Sequence, residues 1–193
     1  MLKQIKQCQK CNLYQNQPPL IEECEACDVM WVGLSAKKIT DNKGMPLAPS
    51  TNTGKIIAEI EETIGLDKSY KTNLVKCAPL DDNSKLRYPK KEEVGVCIEN
   101  LIVEIKYLQP KVIFLLGTQV KEAIEQYYEI NFPKSVEYDF ISLSIDNIKF
   151  VPIQHPSYIH IYKQKEKYKY IQNIKRIIVQ NTLIQDVKKA VDE

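Results

Sequence analysis

Two short, continuously apolar segments constrain the fold of this chain more than any other feature. Asp28–Gly33 and Lys111–Gly117 are apolar along most of their length and end in glycine, which is the pattern of strands buried on both faces. Apolar residues at helical spacing lie between and after them, around 56–64, 94–108, 120–127 and 170–178. Short buried strands alternating with helices predict an α/β fold, with three α/β/α layers around a central, mainly parallel four-stranded sheet.

The segment Tyr70–Pro79 is predicted to be a further strand that carries two chemically different groups. Asn73 offers an amide acceptor and two donors to a polar ligand, and Cys77 offers a soft thiolate to a metal. Residues 138–153 are predicted to be extended and lead into His155. Both segments therefore end in candidates for binding or catalysis.

These strand ends are expected to meet, because ligands of parallel sheets bind at the carboxyl ends of the strands. The segments after Gly33, around Asn73, after Gly117 and around His155 then line one rim of the sheet. A pocket is expected at that rim. It is not a dinucleotide site, since the loop after Gly33 lacks the glycine-rich fingerprint of such sites.

Size, charge and apolar runs set the remaining limits. The 193 residues are predicted to form a single domain, 1–193. Lys and Arg total 27 against 25 Asp and Glu, so the net charge indicates no partner. No apolar run approaches the ~20 residues that span a bilayer, and the N-terminus lacks the apolar core of a signal peptide. We therefore expect a cytoplasmic protein without a membrane partner. A monomer is also expected.

Six cysteines in a cytoplasmic protein indicate metal binding rather than disulfides. The N-terminal segment 1–27 has little periodic apolar pattern and is predicted to be stapled by a metal. One arrangement places zinc on four N-terminal thiolates, Cys8, Cys11, Cys24 and Cys27. The other places an iron–sulfur cluster on thiolates from three segments, Cys8, Cys11, Cys77 and Cys97. Spacing alone favours zinc, and both arrangements remain open at this point.

Taken in order, the motifs resemble those of the iron–sulfur uracil-DNA glycosylases of the family-4 type, over about residues 5–180. The matching fragments are Cys8-Gln-Lys-Cys11, Gly33-Leu-Ser-Ala-Lys37, Gly44-Met-Pro-Leu47, Asn73-Leu-Val-Lys-Cys-Ala-Pro79, Cys97, Leu116-Gly117 and His155-Pro-Ser157. The resemblance implies a [4Fe–4S] cluster on Cys8, Cys11, Cys77 and Cys97 in place of zinc. The loop between Cys77 and Cys97 is a few residues longer than the family pattern.

The resemblance also implies roles for site residues. His155 matches the family's donor to the departing base, and Asn73 matches the group that reads the base edge. The same motifs imply that the base pocket includes Gly33, Leu34, Ser35, Leu47 and Ser157.

Two positions depart from the family-4 pattern. Leu34 stands where that pattern has its water-activating glutamate, and Leu47 stands where it has the phenylalanine that stacks on uracil. The related family-5 type carries leucine in the first motif but lacks the asparagine present here as Asn73, so the chain combines features of both types. Asp41 is the nearest acid after the first motif, and a solvated loop residue is the favoured interpretation of it.

Candidates for DNA contact follow the His155 motif. Tyr158 and Ile159 are expected to fill the gap left by an extruded base, and Lys163 and Lys165 to contact phosphates. The basic and aromatic segment continues through Tyr162, Lys167, Tyr168, Lys169, Tyr170, Lys175 and Arg176. A solvated lysine-rich helix face is the alternative.

These features predict a DNA glycosylase that hydrolyses the N-glycosidic bond of uracil, or of a related deaminated base, in DNA during base excision repair. Its partner is then DNA that contains such a base. A catalytically inactive DNA-binding homologue and a zinc-ribbon interaction protein are the alternatives.

Overall fold

The computed structural model describes residues 1–39 and 44–192, with side chains as far as Thr182. In this part of the chain the helices are α1 Leu2–Lys6, α2 Asn52–Ile64, α3 Lys91–Leu108, α4 Thr118–Tyr128, α5 Pro156–Tyr162 and α6 Lys167–Asp192. The strands are β1 Val29–Ser35, β2 Ser69–Val75, β3 Val112–Leu116, β4 Leu143–Ile145 and β5 Ile148–Ile153. Short 3-10 helices lie at Asn12–Gln15 and Gln164–Glu166. Strands and helices alternate from β1 to α4, as the apolar pattern predicts.

The strands of the described residues form one sheet in the order β2-β1-β3-β5-β4. Neighbours from β2 to β5 are parallel, and β4 runs antiparallel to β5. The prediction of four strands is therefore wrong by one. The segment 138–153, which was predicted to be extended, contains a hairpin of β4 and β5. Its turn consists of Asp146 and Asn147, which both adopt positive φ, as two-residue turns of type I′ require.

The three-layer architecture is confirmed by the two apolar cores, one on each face of the sheet. Successive strand residues point to opposite faces, so Met30 and Val32 pack with residues of α3 and α4. Trp31, between them, packs with residues of α2, α5 and α6 and stacks on Phe114 with ring centroids 4.6 Å apart. The sheet is thus covered on both sides, and its carboxyl edge is left to form a site.

The N-terminal segment is held by apolar packing as well as by hydrogen bonds. Leu2, Ile5 and Leu13 are buried in the core beside α3. Leu20 N donates to Lys76 O at 2.9 Å, which fixes the segment beside the end of β2. The folded arrangement of this segment therefore does not depend on a metal alone.

No helix within the described residues is long and apolar enough to cross a membrane.

Candidate active site

A cleft of about 680 Å³ lies at the carboxyl ends of β1 and β2. It brings together six residues that the sequence predicts for the site: Gly33, Leu34, Ser35, Leu47, Asn73 and His155. Gly117 ends β3 and lies behind His155, since a Cβ on this glycine would sit 3.6 Å from the histidine Cβ. The expected rim of strand ends is therefore present.

Asn73 reaches the cleft from near the carboxyl end of β2, and its neighbour on β1 makes room for it. Gly33 is its register partner, and a Cβ on Gly33 would overlap Asn73 Oδ1 and lie 2.9 Å from Leu47 Cδ2. Asn73 is only 3% exposed. Asn73 lines the cleft, and among residues 1–39 and 44–182 no other residue forms a hydrogen bond with its side-chain amide.

His155 lies at the junction of β5 and α5, where it is the N-cap residue of the helix. Its Nδ1 is 2.8 Å from Ser157 Oγ, which leaves Nε2 as the nitrogen available to a ligand. Burial, followed by the nearby charge of Lys37, lowers the pKa of the imidazole. Both effects favour the neutral form of the ring. Ser157 does not line the cleft itself and reaches it only through this contact with His155.

Further residues line the cleft that were not predicted as site residues from the sequence, among them Lys37, Leu86, Arg87 and Tyr88. Lys37 is the last residue of the first motif, and its position in that motif is the sequence signal for it. Leu86, Arg87 and Tyr88 come from the loop after β2, and the only signal for them was that the loop is long.

The walls of the cleft are largely apolar where the family-4 pattern has functional side chains. Leu34 and Leu47 both line it, and Leu47 adopts a left-handed backbone with φ of 50°. No carboxylate lines the cleft within the described residues. Asp41 lies outside the described residues.

The residues that line a second, much smaller cavity include four cysteines, Cys8, Cys11, Cys77 and Cys97. Two N–H groups donate to their sulfurs: Asn100 Nδ2 lies 3.3 Å from Cys8 Sγ, and the backbone N of Lys76 lies 3.4 Å from Cys97 Sγ. Burial raises the pKa of the Cys77 thiol to about 12.

Cys24 and Cys27 do not reach this cavity. Cys24 Sγ donates to Ala26 O at 3.1 Å, and Cys27 is buried in the apolar core. Among the residues described, no three His, Cys, Asp or Glu side chains come close enough to hold a single metal ion. That finding applies to both arrangements of the cysteines, but the four that line one cavity are those of the second arrangement, Cys8, Cys11, Cys77 and Cys97.

Lys76 connects the cysteine cavity to the cleft. Its backbone N contacts Cys97 Sγ, and its Nζ donates to the backbone oxygen of Asn73 at 2.6 Å. Lys76, which makes both contacts, is only 1% exposed. The two sites therefore share one buried structural element.

The residues expected to contact DNA differ in exposure. Tyr158 is 46% exposed, whereas Ile159 is fully buried in the core beside α2 and α6. Insertion of Ile159 into DNA does not fit this burial, because α5 turns that face inwards. Tyr170 is also buried, and its hydroxyl donates to Gln154 O at 2.7 Å.

The basic segment carries less free charge than its lysines suggest. Lys165 is exposed, but Lys163 lies 3.2 Å from Glu166. Further acid partners neutralise Lys167, Lys169 and Arg176. Part of this segment is therefore a paired surface rather than a strongly positive one.

Comparison with known proteins gives consistent matches. A model of the uracil DNA glycosylase superfamily matches residues 21–178. The type-4 uracil-DNA glycosylase of Archaeoglobus fulgidus is 26% identical over 186 residues, which cover 92% of this chain and 89% of that protein. That of Thermotoga maritima is 25% identical over 190 residues, covering 96% and 88%. That of Pyrobaculum aerophilum is 32% identical over 117 residues, covering 58% and 57%.

A solved structure supports the fold. The crystal structure of wild-type Pedobacter heparinus SMUG2 matches with a TM-score of 0.52 and 14% identity, over 83% of this chain and 77% of that one. At this identity the likeness concerns the fold alone.

Proposed function

This chain belongs to the uracil DNA glycosylase superfamily, and we propose that it hydrolyses the N-glycosidic bond of uracil in DNA with Asn73 and His155 as its principal site residues. The observation that carries the proposal is that these two side chains, from β2 and from the start of α5, line one cleft of about 680 Å³. The cleft lies at the carboxyl edge of the sheet, where ligands of such folds bind.

The chemistry requires the base to leave as an anion. The bond between the sugar C1′ and the base nitrogen breaks, its electron pair departs with the base, and the sugar becomes oxocarbenium-like. A neutral His155 then donates from Nε2 to the base carbonyl, where negative charge develops, while Asn73 pairs with the polar edge of the base. Water adds to C1′ and loses a proton to solvent.

Stabilisation of the departing base has to provide most of the rate, because Leu34 cannot activate water. A donor at a developing anion contributes on the order of 100- to 1000-fold. In this site Leu34 and Leu47 serve as apolar walls that exclude solvent from the base. Exclusion of water in turn strengthens the hydrogen bonds from Asn73 and His155.

The residues around the small cavity fit an iron–sulfur cluster. Four thiols from three separate segments meet there, and N–H donors from Asn100 and Lys76 reach two of the sulfurs. Cys8, Cys11, Cys77 and Cys97 would hold a [4Fe–4S] cluster, which supplies a cross-link between the N-terminal segment, the end of β2 and α3. Thiols whose pKa is raised by burial release protons on binding iron.

Single-turnover excision on a labelled oligonucleotide that contains uracil tests this function. We expect the unaltered protein to cleave, and His155→Ala and Asn73→Ala each to slow cleavage by on the order of 100- to 1000-fold. His160→Ala is the matched control, because His160 lies one turn along α5 and outside the cleft.

Two results contradict the proposal. Cleavage that survives both substitutions would show that other residues carry the reaction. Absence of cleavage by a cluster-loaded protein that still binds DNA would mean that Leu34 marks a retired active site in a DNA-binding homologue.

A further inference from the structure

The loop that follows β2 is built to hold a fixed shape. Leu80 and Leu86 pair through an isolated antiparallel bridge. Asp81 Oδ1 accepts from the backbone N of Asn83 and of Lys85, at 2.9 Å each. These contacts close residues 80–86 into a compact turn rather than an open connection.

An ion pair fastens the end of this turn to α3. Both terminal nitrogens of Arg87 bind Glu93, at 2.8 and 2.6 Å, and its Nε donates to Leu80 O at 3.0 Å. Glu93 lies in the first turn of α3, and it also accepts from the backbone N of Lys90, the residue before the helix, at 2.7 Å. A bidentate pair of this kind fixes orientation as well as distance.

The two residues that flank Arg87 expose large apolar side chains at the mouth of the cleft. Leu86 is 48% exposed and Tyr88 is 74% exposed, and both line the cleft. The turn is thus held firmly in place even though it leaves apolar surface exposed to water. Adjacent exposed apolar side chains beside a site are typical of a contact surface.

The position of this lip, defined as Leu86 and Tyr88, indicates what covers it. The lip follows β2 at one side of the cleft, and α5 with Tyr158 follows β5 at the other. Three strand spacings of about 4.8 Å separate β2 from β5, or about 14 Å. A strand of DNA that runs along this edge of the sheet and delivers one extruded nucleotide between them passes over the lip.

We propose that the lip is a DNA-contacting surface in which Tyr88 stacks on the base next to the extruded nucleotide, with Leu86 packed beside it. The inference rests on the proposed function, since it requires that the cleft takes a base from DNA. Extrusion exposes one face of each flanking base. An exposed aromatic ring replaces the lost stacking without regard to sequence, because every base has a π-face.

The test uses the cluster-loaded protein and oligonucleotides that carry uracil beside 2-aminopurine, a base whose fluorescence reports stacking. Tyr88→Ala is expected to weaken binding by about 5- to 150-fold, the range found for loss of one base–aromatic stack. The value of kcat at saturating DNA is expected to change much less than KM, because Asn73 and His155 are untouched. Leu86→Ala is expected to have a smaller effect in the same direction.

Two controls separate stacking from general damage. Tyr88→Phe keeps the ring and is expected to bind as the unaltered protein does. Tyr107→Ala removes a tyrosine that is 41% exposed near the C-terminal end of α3, away from the cleft, and is expected to change nothing in binding. Thermal melting of Tyr88→Ala and Tyr88→Phe should match that of the unaltered protein, because Tyr88 is 74% exposed.

The outcomes distinguish this inference from the function on which it rests. Loss of excision by the unaltered protein would contradict the proposed function. Normal excision by the unaltered protein, together with unchanged binding and unchanged 2-aminopurine fluorescence in Tyr88→Ala, would overturn only the DNA contact proposed for the lip.

Discussion

Lys76 and Glu104 form an ion pair in which neither side chain reaches solvent, with exposures of 1% and 0%. Lys76 Nζ also donates to Thr72 Oγ1 at 2.8 Å, and Glu104 accepts from the Tyr70 hydroxyl at 2.8 Å. The pair joins β2 to α3 between the cleft and the cysteine cavity. Each side chain has further hydrogen-bond partners, which offset part of the cost of removing the pair from water.

Removing one partner of this pair is expected to be strongly destabilising. Lys76→Met leaves the Glu104 carboxylate buried without its counter-charge, which lowers the free energy of unfolding by about 3–5 kcal/mol. Glu104→Leu is expected to be similar, and the double variant to lose less than the sum by about 0.5–3 kcal/mol. Urea unfolding under anaerobic conditions measures each value.

The matched control is a surface pair. Lys6 and Glu23 lie 2.8 Å apart with side chains 37% and 75% exposed, so Lys6→Met is expected to change stability by less than about 1 kcal/mol. Equal effects of Lys76→Met and Lys6→Met would contradict the role assigned to the buried pair.

Gly33 is expected to be essential for the position of Asn73. Gly33→Ala introduces a methyl group that overlaps Asn73 Oδ1, so the amide moves away from the base edge. We expect excision to fall by on the order of 100-fold, as for a misplacement of about 1 Å in an active site. Single-turnover kinetics measure the change.

Gly95→Ala is the control for a glycine replaced elsewhere. Gly95 lies inside α3, and apart from its chain neighbours and the nearby backbone of that helix, no atom of the described residues lies within 4 Å of the added methyl group. The substitution is expected to stabilise the protein by about 0.5–1 kcal/mol without a change in excision. An equal loss of activity in both variants would show that Gly33 has no special relation to Asn73.

The imidazole of His155 is expected to titrate below about 6.5, the ordinary value for histidine. Burial and then Lys37 lower its pKa, so Lys37→Gln is expected to raise the pKa part of the way back. NMR titration measures it. The chain has two histidines, so His160→Gln leaves one signal to follow. An unchanged pKa in Lys37→Gln would exclude the lysine as a cause.

The same titration has a consequence for stability. The unfolded chain takes up the proton on His155 more readily than the folded protein does, so protonation favours unfolding. The stabilising effect of the neutral ring is complete above about pH 6.5 and is lost as the pH falls towards the folded pKa. Comparison of unfolding free energies for the unaltered protein and His155→Gln between pH 5 and 8 measures this difference.

The cysteines are expected to fall into two classes. Cys77→Ala and Cys97→Ala should abolish iron binding and the absorbance near ~400 nm, because these residues line the cavity. Cys24→Ala should leave both unchanged, since Cys24 does not line it. Iron analysis of anaerobically prepared protein makes the comparison. Loss of iron in Cys24→Ala would contradict the assignment of ligands.

Local patterns in the sequence were sufficient for the strands and helices around the site. The apolar runs at 28–33 and 111–117 became β1 and β3 because a continuous apolar strand has to be covered on both faces. The motifs placed Asn73 and His155 at strand ends, and parallel packing brings such ends to one edge. The antiparallel β4 was missed because a three-residue edge strand leaves little periodicity to detect.

By itself, then, the sequence determined the alternation of layers, the rim of the site and the two residues proposed to act on the base. The tertiary structure decided which four cysteines meet, that Ile159 faces the core, and that Leu86 and Tyr88 border the cleft. Periodicity and spacing are local properties, whereas these outcomes depend on contacts between segments far apart in the chain. The distances between these segments are set only by the pairing of β2 within the sheet and by the packing of α3 and α5 against it.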